Sequence, residues 1–308
     1  MGNVLVTGGM GFVGSALCRQ LCALGMDVSI LDNESKGQRK NIDGLPVAVH
    51  SADIRDRDQL GAILRATRPS LVIHLAAIHF LPECDGNPAR CLEVNVVGTE
   101  HVLSACREVS PERVIVTSSM AVYPIKDTAS VETDQPGPYD VYGESKLSNE
   151  LQAGRFQRET GIDTIAVRLS NCYGPRETNP HVVPEIMEQI KSGAEEIRLG
   201  NIDARRDFIH VDDAAKGFAA LALHTLPSGY HVVNLTSGKE YSVRQILSEL
   251  SEILAREIRP VRDETRYRRV ERMHLLGDVS RIKHLTEWQP CMSLREGLTD
   301  LCKWYGVT

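Results

Sequence analysis

Residues 4–14 read VLVTGGMGFVG. Val4, Leu5 and Val6 form a short apolar run that enters a glycine cluster directly, and Val13, Ala16, Leu17 and Leu21 then recur on one face of a helical stretch. Three glycines alone would make no more than a tight turn. Placed between a strand and a helix, Gly8, Gly11 and Gly14 let the backbone approach a pyrophosphate and aim its N–H groups and the helix N-terminus at the negative charge. The stretch therefore predicts a dinucleotide site in which Gly8, Gly11, Phe12 and Val13 touch the cofactor.

The next apolar run ends in Leu31-Asp32-Asn33, which puts a carboxylate 24 residues beyond Gly8 (32 − 8). A carboxylate there accepts from both ribose hydroxyls and repels a 2′-phosphate, so NAD is expected; Lys36 and Arg39 keep NADP open. Asp53-Ile54, after the third run, fits an adenine-side contact or a helix cap, and Asn33 lies beside the same site.

Outward from this loop, apolar runs at Val4–Val6, Val28–Leu31, Val47–His50, Leu71–His74, Val114–Thr117 and Ile165–Arg168 alternate with helical patterns at 12–23, 58–66, 95–108 and 141–160. The runs are apolar throughout, as strands covered on both faces should be, so the fold class is α/β with a parallel sheet and crossover helices on both sides. After residue 171 the alternation loosens. Helices are expected from Pro184 to Ser192, over 210–224 and over 242–255, with a strand at His231–Asn234. The expected division is a cofactor domain of residues 1–171 that also receives about 207–236, and a second domain of 172–206 and 237–308.

With 308 residues, 25% charged and 42% apolar, the chain has the composition of a globular enzyme, and a net charge of −6 argues against a nucleic-acid surface. No window has the length and apolarity of a membrane span, and no signal peptide precedes Val4. Eight cysteines without a CxxC pair do not make a disulfide framework, and the ten histidines do not join them in a ligand pattern, so no metal is expected and the compartment read is the cytoplasm. Asp212 and Asp213, ahead of an alanine-rich helix, read as helix caps rather than as a relay with His210, and His181 as a residue of a cleft rim. Seven arginines between 256 and 272, interleaved with four acids, are mostly a solvated face from which Arg269 or Arg272 could clamp a diphosphate.

Residues 138–150 read PYDVYGESKLSNE, with Tyr142 one helical turn before Lys146. A phenol with a pKa near 10 is a poor base at neutral pH, whereas a cation within about 4–6 Å favours its phenolate. Burial opposes this, and with an oxidised cofactor bound the charges are expected to prevail.

Together TGGMGFVG at 7–14, LDN at 31–33, HLAA at 74–77, NVVGT at 95–99, TSSMAVY at 117–123, YGESK at 142–146, RLSNCYGP at 168–175 and RRDFIHVDD at 205–213 resemble the extended short-chain dehydrogenase/reductase family, in particular its nucleotide-sugar epimerases and dehydratases. The resemblance implies a Rossmann-type sheet plus a smaller mixed C-terminal region that binds the substrate. It implies Ser119, Tyr142 and Lys146 as the catalytic group, Ser119 rather than Ser118 because it stands four residues before Tyr123. It further implies Leu75, Ala76, Ala77 and Asn95 at the cofactor, Asn171 and Arg206 at the sugar nucleotide, and a homodimer through helices near 95–108 and 141–159. His79, just after HLAA in a stretch expected to line the sugar cleft, is read either as a contact to the hexose or as a packed or solvated histidine. The implied reaction is NAD-dependent epimerisation at C4 of a nucleoside-diphosphate hexose, UDP-linked, through a transient 4-keto sugar. Dehydratases of the family carry Asp-Glu where this chain has Met120 and Ala121, which transfer no protons. Tyr123-Pro124 resembles the fucose-synthase branch and keeps a 4-keto reductase as the alternative; a dinucleotide-binding regulatory protein is the reading without catalysis.

Overall fold

Every apolar run of the N-terminal half is a strand. A computed structural model of the chain describes residues 2–266 and 271–307. In chain order its main elements begin with β1 (Asn3–Thr7), α1 (Phe12–Ala23), β2 (Asp27–Asp32), β3 (Val47–Ser51), α2 (Arg57–Thr67), β4 (Leu71–His74), α3 (Leu81–Gly86), α4 (Pro88–Leu92) and α5 (Gly98–Val109). They continue with β5 (Arg113–Ser119), α6 (Val141–Thr160), β6 (Asp163–Leu169), β7 (Asn171–Tyr173), α7 (Val182–Lys191), β8 (Glu196–Leu199) and β9 (Arg205–His210). The rest are α8 (Val211–Leu223), β10 (Tyr230–Leu235), β11 (Glu240–Ser242), α9 (Val243–Ile253), β12 (Arg259–Arg262), α10 (Ser280–Thr286) and α11 (Leu294–Tyr305).

Seven parallel strands form the main sheet in the order β10-β6-β5-β4-β1-β2-β3. The chain winds outward from β1 to β3, crosses back through α2 to β4, and winds the other way. The switch point therefore lies between β1 and β4, and the crevice beyond their C-terminal ends is where a doubly wound sheet takes a ligand. Thr7 pairs with His74 in register at that end, and their side chains share a 2.7 Å hydrogen bond.

Both faces of the sheet are covered. Leu17 and Leu21 of α1 pack with Phe218 and Leu221 of α8 on one side, and Leu60, Leu64, Val102 and Phe156 from α2, α5 and α6 fill the other. Fully burying each such side chain contributes about 1.5–3 kcal/mol. A separate core joins α7, α9 and α11 through Ile186, Ile190, Ile246, Leu250, Leu298 and Leu301, beside a three-stranded sheet β11-β9-β7 and a two-stranded sheet β12-β8.

Three local expectations differ from what is observed. The helix expected over 95–108 is the end of a longer helical stretch that begins at Pro88 and opens into a π-helical turn at Glu93–Val97. The widened turn carries Asn95, whose amide accepts from Ile78 N at 2.8 Å and donates to Ile78 O at 2.9 Å and Ser145 Oγ at 3.0 Å. Helix α7 starts at Val182, with Pro184 inside the first turn, where its missing N–H costs nothing. His210 caps α8 through Nδ1, whereas Asp213 reaches out to accept from the backbone N–H groups of Cys291 and Met292.

Candidate active site

A cleft of about 880 Å³ opens at the switch point and runs from the glycine loop to α7 and β9. Its near wall is backbone. Gly8 has φ +71°, and a Cβ on Gly14 would stand 2.1 Å from Gly8 O, so only glycine lets the loop fold this tightly onto α1. Gly11 caps α1 with no side-chain hydrogen bond, which leaves the helix N-terminus facing the cleft beside Phe12 and Val13. Asp32 ends β2 there, buried, accepting from Met10 N at 3.0 Å and Glu34 N at 2.8 Å. Burial raises its pKa and those two N–H groups oppose the rise. Two accepted bonds leave its carboxylate with capacity for a ribose diol. The two cations that kept NADP open are both committed to carboxylates: Lys36 to Glu83 at 3.0 Å and Arg39 to Glu34 at 2.7 Å. These residues fit NAD.

The middle of the cleft carries the helical turn that the sequence singles out. Asp140 caps α6 by accepting from Gly143 N at 2.7 Å, which sets Tyr142 in the first turn. A Cβ on Gly143 would fall 2.7 Å from Ala121 O, so glycine is what lets the turn close on the end of β5. Lys146 Nζ lies 5.9 Å from the Tyr142 ring centroid and donates to Thr117 O at 2.9 Å. Ser119 hydrogen-bonds the Tyr142 phenol and accepts from Ala121 N at 3.1 Å. Burial pushes the Tyr142 phenol well up, opposed by the hydrogen bond with Ser119, and pushes the Lys146 ammonium down to about 8.

The two adjacent serines part company. Ser118 donates to Glu150 at 2.5 Å, and Glu150 holds Arg168 through two hydrogen bonds of 2.8 and 2.7 Å in a buried ion pair. The Arg168 guanidinium lies 4.6 Å from the Tyr123 ring centroid, and Tyr123 donates to Asn234 at 2.7 Å. This network ties the end of β5 to α6 and to β10, so Ser119 and Lys146 are presented from one rigid block.

Asn33, Ile54, Leu75, Ala76, Ala77, His79, Asn171, Arg206 and Arg272 also line the cleft. Asp53 and Asn95 do not. Arg55 grips Asp53 through two bonds of 2.9 and 2.7 Å, Asn33 adds a third, and the arginine holds the Asp53 carboxyl near 2. Asn95 is fully buried behind the wall, fastening Ile78 to Ser145. Arg206 donates to Arg272 O at 2.6 Å and pairs with Glu271 at 2.9 Å. Arg272 donates to the carbonyls of Met120 and Tyr123 and lies over Tyr139, 5.0 Å from its ring centroid. Arg269 lies outside the described residues.

Two cleft residues carry no signal along the chain. Glu177 is pushed up to about 7 by burial, against N–H groups from Asn179 and Thr178. Asn179 is buried and donates to His79 Nε2 at 3.0 Å. Burial, with His181 adding to it, holds His79 down at about 3. They meet only because the loop after β7 folds over the loop after β4.

Residues 4–235 match the family model described as the NAD dependent epimerase/dehydratase family, and the chain belongs to that family. A Methanocaldococcus jannaschii protein, provisionally named a UDP-glucose 4-epimerase, is 31% identical over 306 residues, covering 98% of this chain and 97% of that one. The GDP-6-deoxy-D-mannose reductase of Pseudomonas aeruginosa is 29% identical, covering 96% and 94%. Among solved structures, the UDP-glucuronic acid 4-epimerase of Bacillus cereus, in complex with UDP-glucuronic acid and NAD, is 26% identical and superposes with a TM-score of 0.90 over 99% of each chain.

Proposed function

We propose that the protein is an NAD-dependent epimerase that inverts C4 of a UDP-linked hexose through a transient 4-keto sugar. The observation that carries the reading is the Ser119, Tyr142 and Lys146 group, seated in the same cleft as the glycine loop and Asp32. Bound NAD supplies the acceptor and donor for the C4 hydrogen. Tyr142 takes the proton of the 4-hydroxyl and later returns it, while Ser119 donates to the C4 oxygen as it gains carbonyl character. Lys146, protonated, stabilises the phenolate against the burial that raises it.

Gly8, Gly11, Phe12 and Val13 are assigned to the diphosphate of the cofactor, Asp32 and Asn33 to its ribose, and Ile54, Leu75, Ala76 and Ala77 to the remaining wall. His79, Asn171, Arg206 and Arg272 are assigned to the sugar nucleotide, whose diphosphate would displace Glu271 from Arg206. Met120 and Ala121 line the cleft without a titratable group, which supports oxidation and reduction at C4 without elimination of water. Residues 1–171 with 207–236 are read as the cofactor domain, and 172–206 with 237–308 as the sugar-nucleotide domain. Pairing of two copies through the helices near 95–108 and 141–159 is supported by apolar side chains left exposed there: Val97 at 45% and Leu151 at 68%.

The relative named a GDP-6-deoxy-D-mannose reductase supports a second reading, reduction of a 4-keto nucleotide sugar. A panel of UDP-, dTDP- and GDP-hexoses, including UDP-glucose and UDP-glucuronic acid, separates the two. Epimerisation gives a C4 stereoisomer without lasting change at 340 nm. Net loss of reduced cofactor with a 4-keto substrate, and no turnover of the fully hydroxylated sugar, would favour the reductase.

A further inference from the structure

His79, Glu177 and His181 each offer one ligand atom to a common space in the cleft wall, and these atoms all lie within 4.8 Å of one another. We propose that the three residues bind a single divalent transition-metal ion of the zinc class. Two imidazoles and one carboxylate are a borderline donor set that suits zinc, cobalt or nickel better than the all-oxygen shells of calcium or magnesium. The donors are already oriented. The Ala77 carbonyl takes a hydrogen bond from the His79 ring, and the other nitrogen, Nε2, carries the lone pair on which Asn179 donates at 3.0 Å. An imidazole whose far N–H is held by a carbonyl is the usual arrangement of a metal-binding histidine. One Glu177 oxygen accepts from Thr178 N at 3.0 Å and Asn179 N at 3.1 Å, which fixes the carboxylate and leaves Oε2 for a ligand. The His181 ring is placed against His79 and Phe80, at centroid distances of 5.5 and 5.4 Å.

All three side chains are half-buried and face the cleft, so an ion reaches them from solvent. Bonds of about 2.0–2.1 Å to a tetrahedral ion put ligand atoms roughly 3.4 Å apart, so rotations that move each group by about 1 Å close the site. Three protein ligands leave the fourth position open toward the cleft, where a water or a sugar hydroxyl completes the shell. Asn179 is the internal competitor: its amide occupies the His79 lone pair that the ion needs.

The test is titration of the metal-free, full-length protein with Co²⁺, followed by its visible absorption and by equilibrium dialysis. One Co²⁺ per chain with the intense bands of a tetrahedral site is expected. His79→Ala and His181→Ala abolish it, and Glu177→Gln weakens it roughly tenfold or more. Asn179→Ala is the opposite case. Removing the competitor tightens Co²⁺ several-fold, which a merely structural asparagine would not do, and this variant together with Glu177→Gln decides the matter if the histidine variants fail to fold. Absence of stoichiometric Co²⁺ binding, binding unchanged in the histidine variants, or binding unchanged in both Glu177→Gln and Asn179→Ala overturns the proposal. The titration uses neither sugar nucleotide nor NAD, so its failure and the failure of the epimerase reading are separate results.

Discussion

The two walls of the cleft are built by opposite means. The near wall is one contiguous stretch, β1, the glycine loop and the start of α1, closed by Asp32 at the end of the next strand. It offers the cleft mainly backbone N–H groups and one carboxylate, and its shape depends on the absence of side chains at Gly8 and Gly14. The far wall is assembled from the loop after β4, the segment from β7 to α7, strand β9 and the stretch at 271–272, and it works through side chains. Between them stands the turn Tyr142–Lys146, which belongs to a single helix but faces both. A family can therefore hold its cofactor wall constant while the other wall is rebuilt for a different sugar, because no residue of the near wall has to move.

Substitutions on each wall and on the turn between them test that division. The largest effect belongs to the shared turn: Tyr142→Phe should lower kcat by about 10³–10⁴-fold, with NAD still bound after purification, read by turnover and cofactor release. Unchanged turnover would remove Tyr142 from the mechanism. Lys146→Met should abolish turnover and yet stabilise the fold by as much as about 3 kcal/mol at pH 7. The folded pKa, about 8, lies below the ordinary 10.5. Between those values the unfolded chain binds the extra proton, so wild-type stability from this group rises as pH climbs from about 8 to 10.5, a slope the variant should lack in thermal melts across that range.

Asp32→Asn, on the near wall, should weaken NAD binding about tenfold to a hundredfold, or about 1.4–2.8 kcal/mol, and leave the KM for the sugar nucleotide nearly unchanged. Glu271→Gln, on the far wall, should lower that KM a few-fold by freeing Arg206 for the diphosphate, with NAD affinity untouched, an effect of about 1 kcal/mol or less. If either substitution moved the other wall's constant as much as its own, the walls would be one unit and the comparison would fail.

What could be read along the chain follows the same line. The strands from β1 to β6 were legible because each is apolar on both faces, and the cofactor wall because its motif is local. The choice of Ser119 over Ser118 rests on the resemblance alone, and the sequence gives no sign that Ser118 is bonded to Glu150 and through it to Arg168, a network whose members stand far apart in the chain. Asp53 looked available because its partner, Arg55, gives no sign in one dimension of folding back onto it. Asn95 sits in a π-helical turn, and a helical pattern does not register one residue of widening. Glu177, Asn179, His79 and His181 come together through a loop crossing, and spacing cannot show donors brought in from two distant segments.

In the proposed reaction one carbon loses and regains the same hydrogen within this cleft, with Tyr142 moving only the hydroxyl proton. UDP-glucose labelled with deuterium at C4 tests it directly, with the product examined for stereochemistry and label. The expected product is UDP-galactose with the deuterium retained at C4 and none drawn from solvent. Product with the label washed out, or solvent deuterium incorporated at C3 or C5, would contradict it.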